Sequence, residues 1–147
     1  MTKVISYDDN SIILGETVIT FGNFDGVHLG HAELISKLVK KSKSINAKSV
    51  LLTFNRHTKK ILRRDSEFKL ITPFDKKIEI LRSFGLDYIV VIDFNEKFSK
   101  ISAIDFIDTI IFKFDPVVIF IGYDNKFGHK GNGNIEFLRE YLNNKET

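Results

Sequence analysis

Two histidines and three glycines fall within one ten-residue block, G-N-F-D-G-V-H-L-G-H, at residues 22–31. Glycines allow the backbone to turn sharply and to approach a ligand closely. His28 and His31 lie where a helical apolar pattern begins, and a helix N-terminus offers N–H groups and partial positive charge that suit a phosphate. Because the helix dipole contributes only about 0.3–2 kcal/mol, catalysis needs further donors, which two imidazoles can provide. The block therefore predicts phosphate chemistry with both histidines as catalytic residues.

The same histidines do not predict a metal site. Zinc sites take three or four protein ligands, whereas His28 and His31 would supply two, and the sequence contains no cysteine. We therefore expect no metal ion held by the protein itself. Each histidine also has the alternative role of a helix cap or a surface residue.

Strands and helices that alternate along the chain are predicted to position these residues. Helical apolar spacing begins at His31 and again near Ile135. A further helix is expected to start with Thr72 as N-cap and to end at Gly85. Another follows Ser102 in a capping-box pattern, and its expected apolar stripe consists of Ile104, Ile107, Ile111 and Phe114. Short apolar runs predict strands at residues 18–21, 49–54, 88–92 and 117–121.

The fold class follows from this alternation. Residues 88–92 and 117–121 are apolar throughout, which is typical of strands buried on both faces of a parallel sheet. We predict one α/β domain, a Rossmann-like parallel sheet with helices on both faces. Ligands of such sheets bind beyond the carboxyl ends of the strands. Site residues are therefore expected just after Phe21, Phe54, Ile92 and Ile121.

Composition narrows the classes of ligand and location. The net charge is +3 over 147 residues, and its basic residues are spread along the chain, which favours anionic small molecules over nucleic acid. The longest apolar run, residues 117–121, is too short to span a membrane, and residues 1–10 contain no signal-peptide core. We expect a cytoplasmic protein with neither nucleic acid nor membrane as a partner. The sequence leaves the oligomeric state open.

The block at residues 22–31 resembles the signature of the FAD synthetase branch of the nucleotidyltransferases with an H-x-G-H motif. Cytidylyl- and pantetheine-phosphate adenylyltransferases share H-x-G-H but usually lack the preceding F-D-G-V. The likeness runs in order from about Thr17 to Leu138. It includes an L-T-x-x-x-x-K helix start at residues 70–77, an F-x-x-x-F-x-x-L-S-A-x-x-F-I segment at 94–107 and a G-x-D-F-x-F-G loop at 122–128.

This resemblance implies an FMN adenylyltransferase, which transfers AMP from ATP to FMN and releases FAD and pyrophosphate. ATP and FMN would be the substrates, with Mg²⁺ held mainly by phosphates. His28 and His31 would be catalytic. Asp25 would either contact the Mg²⁺ ion through water or only bond its own turn. The loop at 122–128 would either line the adenosine or flavin pocket or form a surface turn. The implied binding residues are Gly22, Asn23, Phe24, Asp25, Gly26, Gly30, Thr53, His57, Asp124, Phe127 and Gly128.

The sequence also departs from the family pattern. The loop T-F-x-P-H-P, which helps to hold the flavin, reads T-F-N-R-H-T at residues 53–58, and Asn125 replaces an aromatic residue. The later I-S-S-T-x-I-R motif and a riboflavin kinase domain do not occur in the 147 residues. We therefore expect a domain that is incomplete at its C-terminus, binds ATP weakly and forms FAD slowly or not at all on its own. The alternatives are a non-catalytic or truncated nucleotide- or flavin-binding module, or a nucleotidyltransferase with another acceptor.

Overall fold

A computed structural model describes residues 2–9, 14–25, 29–55 and 74–145. The described strands form one parallel sheet in the order β1-β4-β3-β2-β5. This confirms the predicted parallel α/β architecture. The strands are β1 (Lys3–Ser6), β2 (Thr17–Phe21), β3 (Lys48–Phe54), β4 (Tyr88–Ile92) and β5 (Pro116–Ile119).

The helices lie on both faces of the sheet, as predicted. One apolar cluster joins the sheet to the first two helices, and a second cluster on the opposite face includes the fourth helix. Neighbouring strand residues alternate between these clusters, so that Val18 belongs to one and Ile19 to the other. The helices are α1 (Leu29–Ser44), α2 (Phe74–Arg82), α3 (Glu96–Ser99), α4 (Ala103–Phe114) and α5 (Ile135–Lys145), with a short 3₁₀ helix at His129–Gly131.

The two edge strands of the sheet, β1 and β5, differ from the sequence-based expectation. The strand β1, which no apolar pattern predicted, pairs with β4 at one end of the sheet. At the other end, β5 pairs with β2 and stops at Ile119. The expected burial of residues 117–121 on both faces is wrong, because the side chain of Val117 at this edge is 44% exposed. The expectation is confirmed for β4, whose residues Ile89 and Val90 are buried in the clusters on opposite faces of the sheet.

The helix α4 begins as predicted but buries a different face. The hydroxyl oxygen of Ser102 accepts a hydrogen bond from the backbone N–H of Asp105 at 3.1 Å, so Ser102 is the N-cap. Ile104 was expected in the apolar stripe but is 45% exposed. The reason is helical geometry, because the buried positions form one face at three- and four-residue spacing. These positions are Ala103, Phe106, Ile107, Ile110 and Phe114. The predicted cap Thr72 lies outside the described residues.

Candidate active site

The predicted block begins at the carboxyl end of β2, inside the sheet between β3 and β5. A turn at residues 22–25 follows the strand, and α1 begins at Leu29. His31 is the third residue of α1, which confirms its expected place in the first helical turn. His28, Gly26 and His57 lie outside the described residues, so their predicted roles stay predictions. Gly30 lies within α1, one residue before His31.

The start of the turn is held by the strand end on one side and by a later loop on the other. The backbone N–H of Gly22 donates to the carbonyl oxygen of Leu52 on β3 at 3.1 Å. The side-chain amide of Asn125 donates to the carbonyl oxygen of Phe21 at 2.8 Å. Asn125, which departs from the family pattern, therefore connects the loop at residues 122–128 to the end of β2.

The middle of the turn is held through one carbonyl oxygen. The backbone oxygen of Asn23 accepts hydrogen bonds from the hydroxyl of Thr53 and from the ammonium of Lys77, both at 2.9 Å. The ammonium of Lys77 donates as well to the backbone oxygen of Phe54 at 2.9 Å. Thr53 is buried, and its hydroxyl serves the turn, so its predicted contact with substrate stays a prediction.

Phe24 turns its ring inward and brings the turn against α1. Its backbone has a φ of 52°, in the left-handed region that non-glycine residues seldom adopt. Its side chain is 5% exposed and packs in the cluster that contains Ile35 and Leu38 of α1. The rings of Phe24 and His31 meet edge-to-face, with centroids 5.2 Å apart. Burial of Phe24 therefore compensates for its backbone conformation and positions the imidazole of His31.

Lys77 is the functional candidate that sequence reasoning missed. It ends the L-T-x-x-x-x-K pattern, yet no role was assigned to it. Its side chain is 6% exposed. Burial lowers the pKa of Lys77 to about 8, and the charge of Asp25 acts in the opposite direction. A signal was present in the sequence, because Lys77 follows Phe74 by three residues and precedes Leu81 by four, on the apolar face of α2.

The loop at residues 122–128 contributes mainly packing contacts within the fold. Phe127 is buried, and its ring lies edge-to-face against that of Phe21 at a centroid distance of 5.2 Å. Gly128 has a φ of 79°, and a Cβ atom there would lie 2.6 Å from the backbone of Ala103. Asp124 is exposed. Direct contact of these loop residues with a substrate stays a prediction.

A second set of hydrogen bonds connects the ends of β3 and β4. The side-chain amide of Asn55 donates to a carboxylate oxygen of Asp93 at 2.9 Å, and its oxygen accepts from the backbone N–H of Phe94 at 3.2 Å. Asn55 is the first residue after β3 in the altered T-F-N-R-H-T loop. Its own side chain therefore fixes the start of that loop to the end of β4. This places polar groups at a neighbouring strand end, as the fold predicted.

Two absences concern the described residues alone. Among them, no three His, Cys, Asp or Glu side chains come together in a group that could hold a metal ion. No helix in these same ranges has the length and apolar character needed to cross a bilayer.

Comparisons with known proteins agree on one family. A family model described as FAD synthetase matches residues 11–147. The bifunctional riboflavin kinase/FMN adenylyltransferase of Buchnera aphidicola subsp. Schizaphis graminum is 41% identical over 129 residues, covering 87% of this chain and 41% of the relative. The protein of the same name from Bacillus subtilis is 33% identical over 131 residues, covering 88% and 42%. The chain thus spans about two fifths of the length of these curated relatives.

A comparison of structures supports the fold. The solved structure of a protein described as a macrolide-efflux protein from Streptococcus pneumoniae matches with a TM-score of 0.77 at 26% sequence identity. The match covers 97% of this chain and 47% of the other. Because nearly the whole chain is matched, the parallel sheet and its helices follow a known arrangement.

Proposed function

The chain belongs to the FAD synthetase family, and from this membership we propose that it is a nucleotidyltransferase domain that joins AMP from ATP to FMN. The family predicted from residues 22–31 is thereby confirmed. One observation supports the proposed activity most: the turn after β2 is held to neighbouring strand ends and leads into α1, with His31 in the first helical turn.

The proposed reaction needs no protein nucleophile. A phosphate oxygen of FMN attacks the α-phosphorus of ATP, the new P–O bond forms, and the bond to the β-phosphate oxygen breaks to release pyrophosphate. Catalysis of such a transfer depends mostly on positioning and on charge stabilisation. His31 and the N-terminus of α1 follow this turn in the chain and would stabilise negative charge on the phosphates. His28 has the same proposed role from its place in the sequence.

The remaining predicted residues divide by position. The turn residues Gly22, Asn23, Phe24 and Asp25, with Gly26 and Gly30, would shape the nucleotide side. Thr53 and His57 would serve the flavin side, at the end of β3 and beyond it. Asp124, in the loop after β5, would line the adenosine or flavin pocket. Phe127 and Gly128 support this loop by packing.

Magnesium is proposed to enter with ATP. Mg²⁺ keeps an octahedral shell of oxygen ligands and commonly binds through substrate phosphates and one or two carboxylates. Asp25, in the turn itself, is the carboxylate proposed to contact this shell through water. The ion would supply charge neutralisation on the phosphates, while the protein residues position them.

The direct test is FAD formation by the purified chain. ATP and FMN are incubated with the protein, and FAD and pyrophosphate are quantified by chromatography and a coupled assay. Equal amounts of both products support the proposal. Binding of ATP or FMN without either product would replace it with the binding-module alternative, and pyrophosphate release with another acceptor would favour a nucleotidyltransferase of different specificity.

Location is a separate proposal. We propose that the reaction takes place in the cytoplasm, with no nucleic-acid or membrane partner. Fractionation of cells that express the chain would test this, since recovery in a membrane or extracellular fraction contradicts it.

A further inference from the structure

The buried ammonium of Lys77 connects two neighbouring strand ends. It extends from α2 to the backbone oxygens of Asn23 and Phe54, both at 2.9 Å. Asn23 lies in the turn after β2, and Phe54 is the last residue of β3. Removing a charged group from water is costly unless hydrogen bonds compensate. Two carbonyl oxygens, with the ring of Phe74 5.5 Å from the ammonium, provide that compensation.

Attachment of α2 to the sheet does not explain why this residue is a lysine. The apolar side chains of Ile78 and Leu81 already pack in the cluster shared with the sheet. A methionine at position 77 would have similar length without the cost of burying a charge, which lowers the pKa of Lys77 to about 8. What only the ammonium provides is a strong donor to the two carbonyl oxygens.

The bond to Asn23 determines which way one peptide group points. The peptide between Asn23 and Phe24 is trans, so its C=O and N–H point in opposite directions. Lys77 and Thr53 draw the carbonyl oxygen toward the end of β3. The N–H of Phe24 is therefore directed to the opposite side, away from Lys77.

We propose that Lys77 is a positioning residue, which fixes the Asn23–Phe24 peptide so that the N–H of Phe24 faces the phosphates of the bound nucleotide. The inference rests on the proposed binding of ATP at this turn. Lys77 itself would not touch the substrate. It would act through a backbone donor, as preorganised N–H groups do in other anion sites.

The first experiment compares Lys77→Met with Lys76→Met in the full chain. Lys76 is the adjacent lysine on α2, and its side chain is 60% exposed. Calorimetry gives the affinity for ATP, hydrogen exchange gives the protection of residues 22–25, and urea unfolding gives global stability. We expect Lys77→Met to weaken ATP binding about tenfold or more, as for loss of a charged hydrogen bond. Exchange at residues 22–25 should accelerate more than in β3 or β4, whereas Lys76→Met should change neither quantity.

The second experiment restores the ammonium chemically. The chain contains no cysteine, so Lys77→Cys has a single thiol that can be alkylated in denaturant before refolding. Alkylation with 2-bromoethylamine creates a side chain of lysine length that ends in an ammonium, and alkylation with iodoethane creates a neutral control. We expect the aminoethyl form to regain ATP affinity and slow exchange at residues 22–25, and the ethyl form to regain neither. This pair gives the comparison even where Lys77→Met does not fold.

Two results would overturn the inference. One is native ATP affinity and native exchange at residues 22–25 in Lys77→Met, and the other is equal recovery by the ethyl and aminoethyl forms. Failure of the proposed function gives a different pattern. A native chain that binds ATP without forming FAD would leave the affinity comparison valid. In a native chain that binds no ATP, the exchange comparison would still show whether Lys77 holds the turn.

Discussion

Replacing Lys77 by methionine tests the charge that the fold buries beside the carboxyl ends of β2 and β3, because the change removes the amine at nearly constant length. The pKa of Lys77 falls from 10.5 to about 8 in the folded chain. Below about pH 8 both the folded and unfolded chains hold the proton, and the folded chain bears the full cost of burying it. Between about pH 8 and 10.5 the unfolded chain binds a proton that the folded chain has released, so this group makes the unfolding free energy rise with pH.

The size of the effect follows from the same shift. One pKa unit corresponds to ~1.4 kcal/mol. Relative to Lys77→Met, the native chain should gain about 1 kcal/mol of unfolding free energy between pH 7 and 9, and about 3 kcal/mol in total above pH 10.5. Buried Tyr7, whose pKa is raised to about 12, has the opposite sign, since the stability that it contributes is lost above pH 10. It is present in both proteins and cancels in the difference.

The assay is urea unfolding at pH 7, 8 and 9, followed by far-UV circular dichroism because the chain has no tryptophan. Lys76→Met serves as the control and should follow the native chain at each pH. Parallel pH curves for the native chain and Lys77→Met would refute the reasoning. They would mean that the ammonium of Lys77 is solvated despite its small exposed fraction.

Three further substitutions have definite expected outcomes. His31→Ala should lower the rate of FAD formation by roughly 10²–10³-fold. The lost ring contact with Phe24 should cost only about 1 kcal/mol of stability. A folded variant with the native rate in the FAD assay would contradict the catalytic role. Gly128→Ala should destabilise by about 1–3 kcal/mol in urea, because its Cβ would clash with the α4 backbone at a positive φ. Gly15→Ala, which meets no atom within 4 Å, is the matched control, and equal midpoints would be evidence against the clash. Ser102→Ala should cost about 1 kcal/mol, and an unchanged melting curve would show that the cap bond at 3.1 Å contributes nothing.

The sequence predicted the interior of the fold better than its edges. The strands β2, β3 and β4 are buried, and their apolar runs are a direct consequence of that burial. In contrast, β1 is mostly exposed, so its side chains carry little apolar pattern, and its place follows from backbone pairing with β4.

The sequence predicted which segment forms the site but not the hydrogen bonds that hold this segment in place. Glycine and histidine spacing located the turn at residues 22–25 and the start of α1. The hydrogen bonds that hold this turn come from Thr53, Lys77 and Asn125, which lie far away in sequence. The acceptors of these bonds are backbone carbonyl oxygens, which every residue has, so the residue types do not indicate them. Only the fold therefore shows why a lysine occupies the apolar face of α2.

The position of β1 has a consequence for how the chain reaches its native state. The strand β1 precedes β2, β3 and β4 in the chain and so leaves the ribosome before them, yet it pairs with β4, with Lys3 opposite Tyr88. The hydroxyl of Thr2 likewise donates to the backbone oxygen of Leu86. Contacts between residues so distant in sequence carry a high cost of loop closure and form slowly. During synthesis, β1 cannot pair until β4 has been made, whereas β2 and β3 can pair earlier. The edge formed by β1 is thus completed by a late folding event, and removal of residues 1–6 should leave the earlier pairing of β2 with β3 intact.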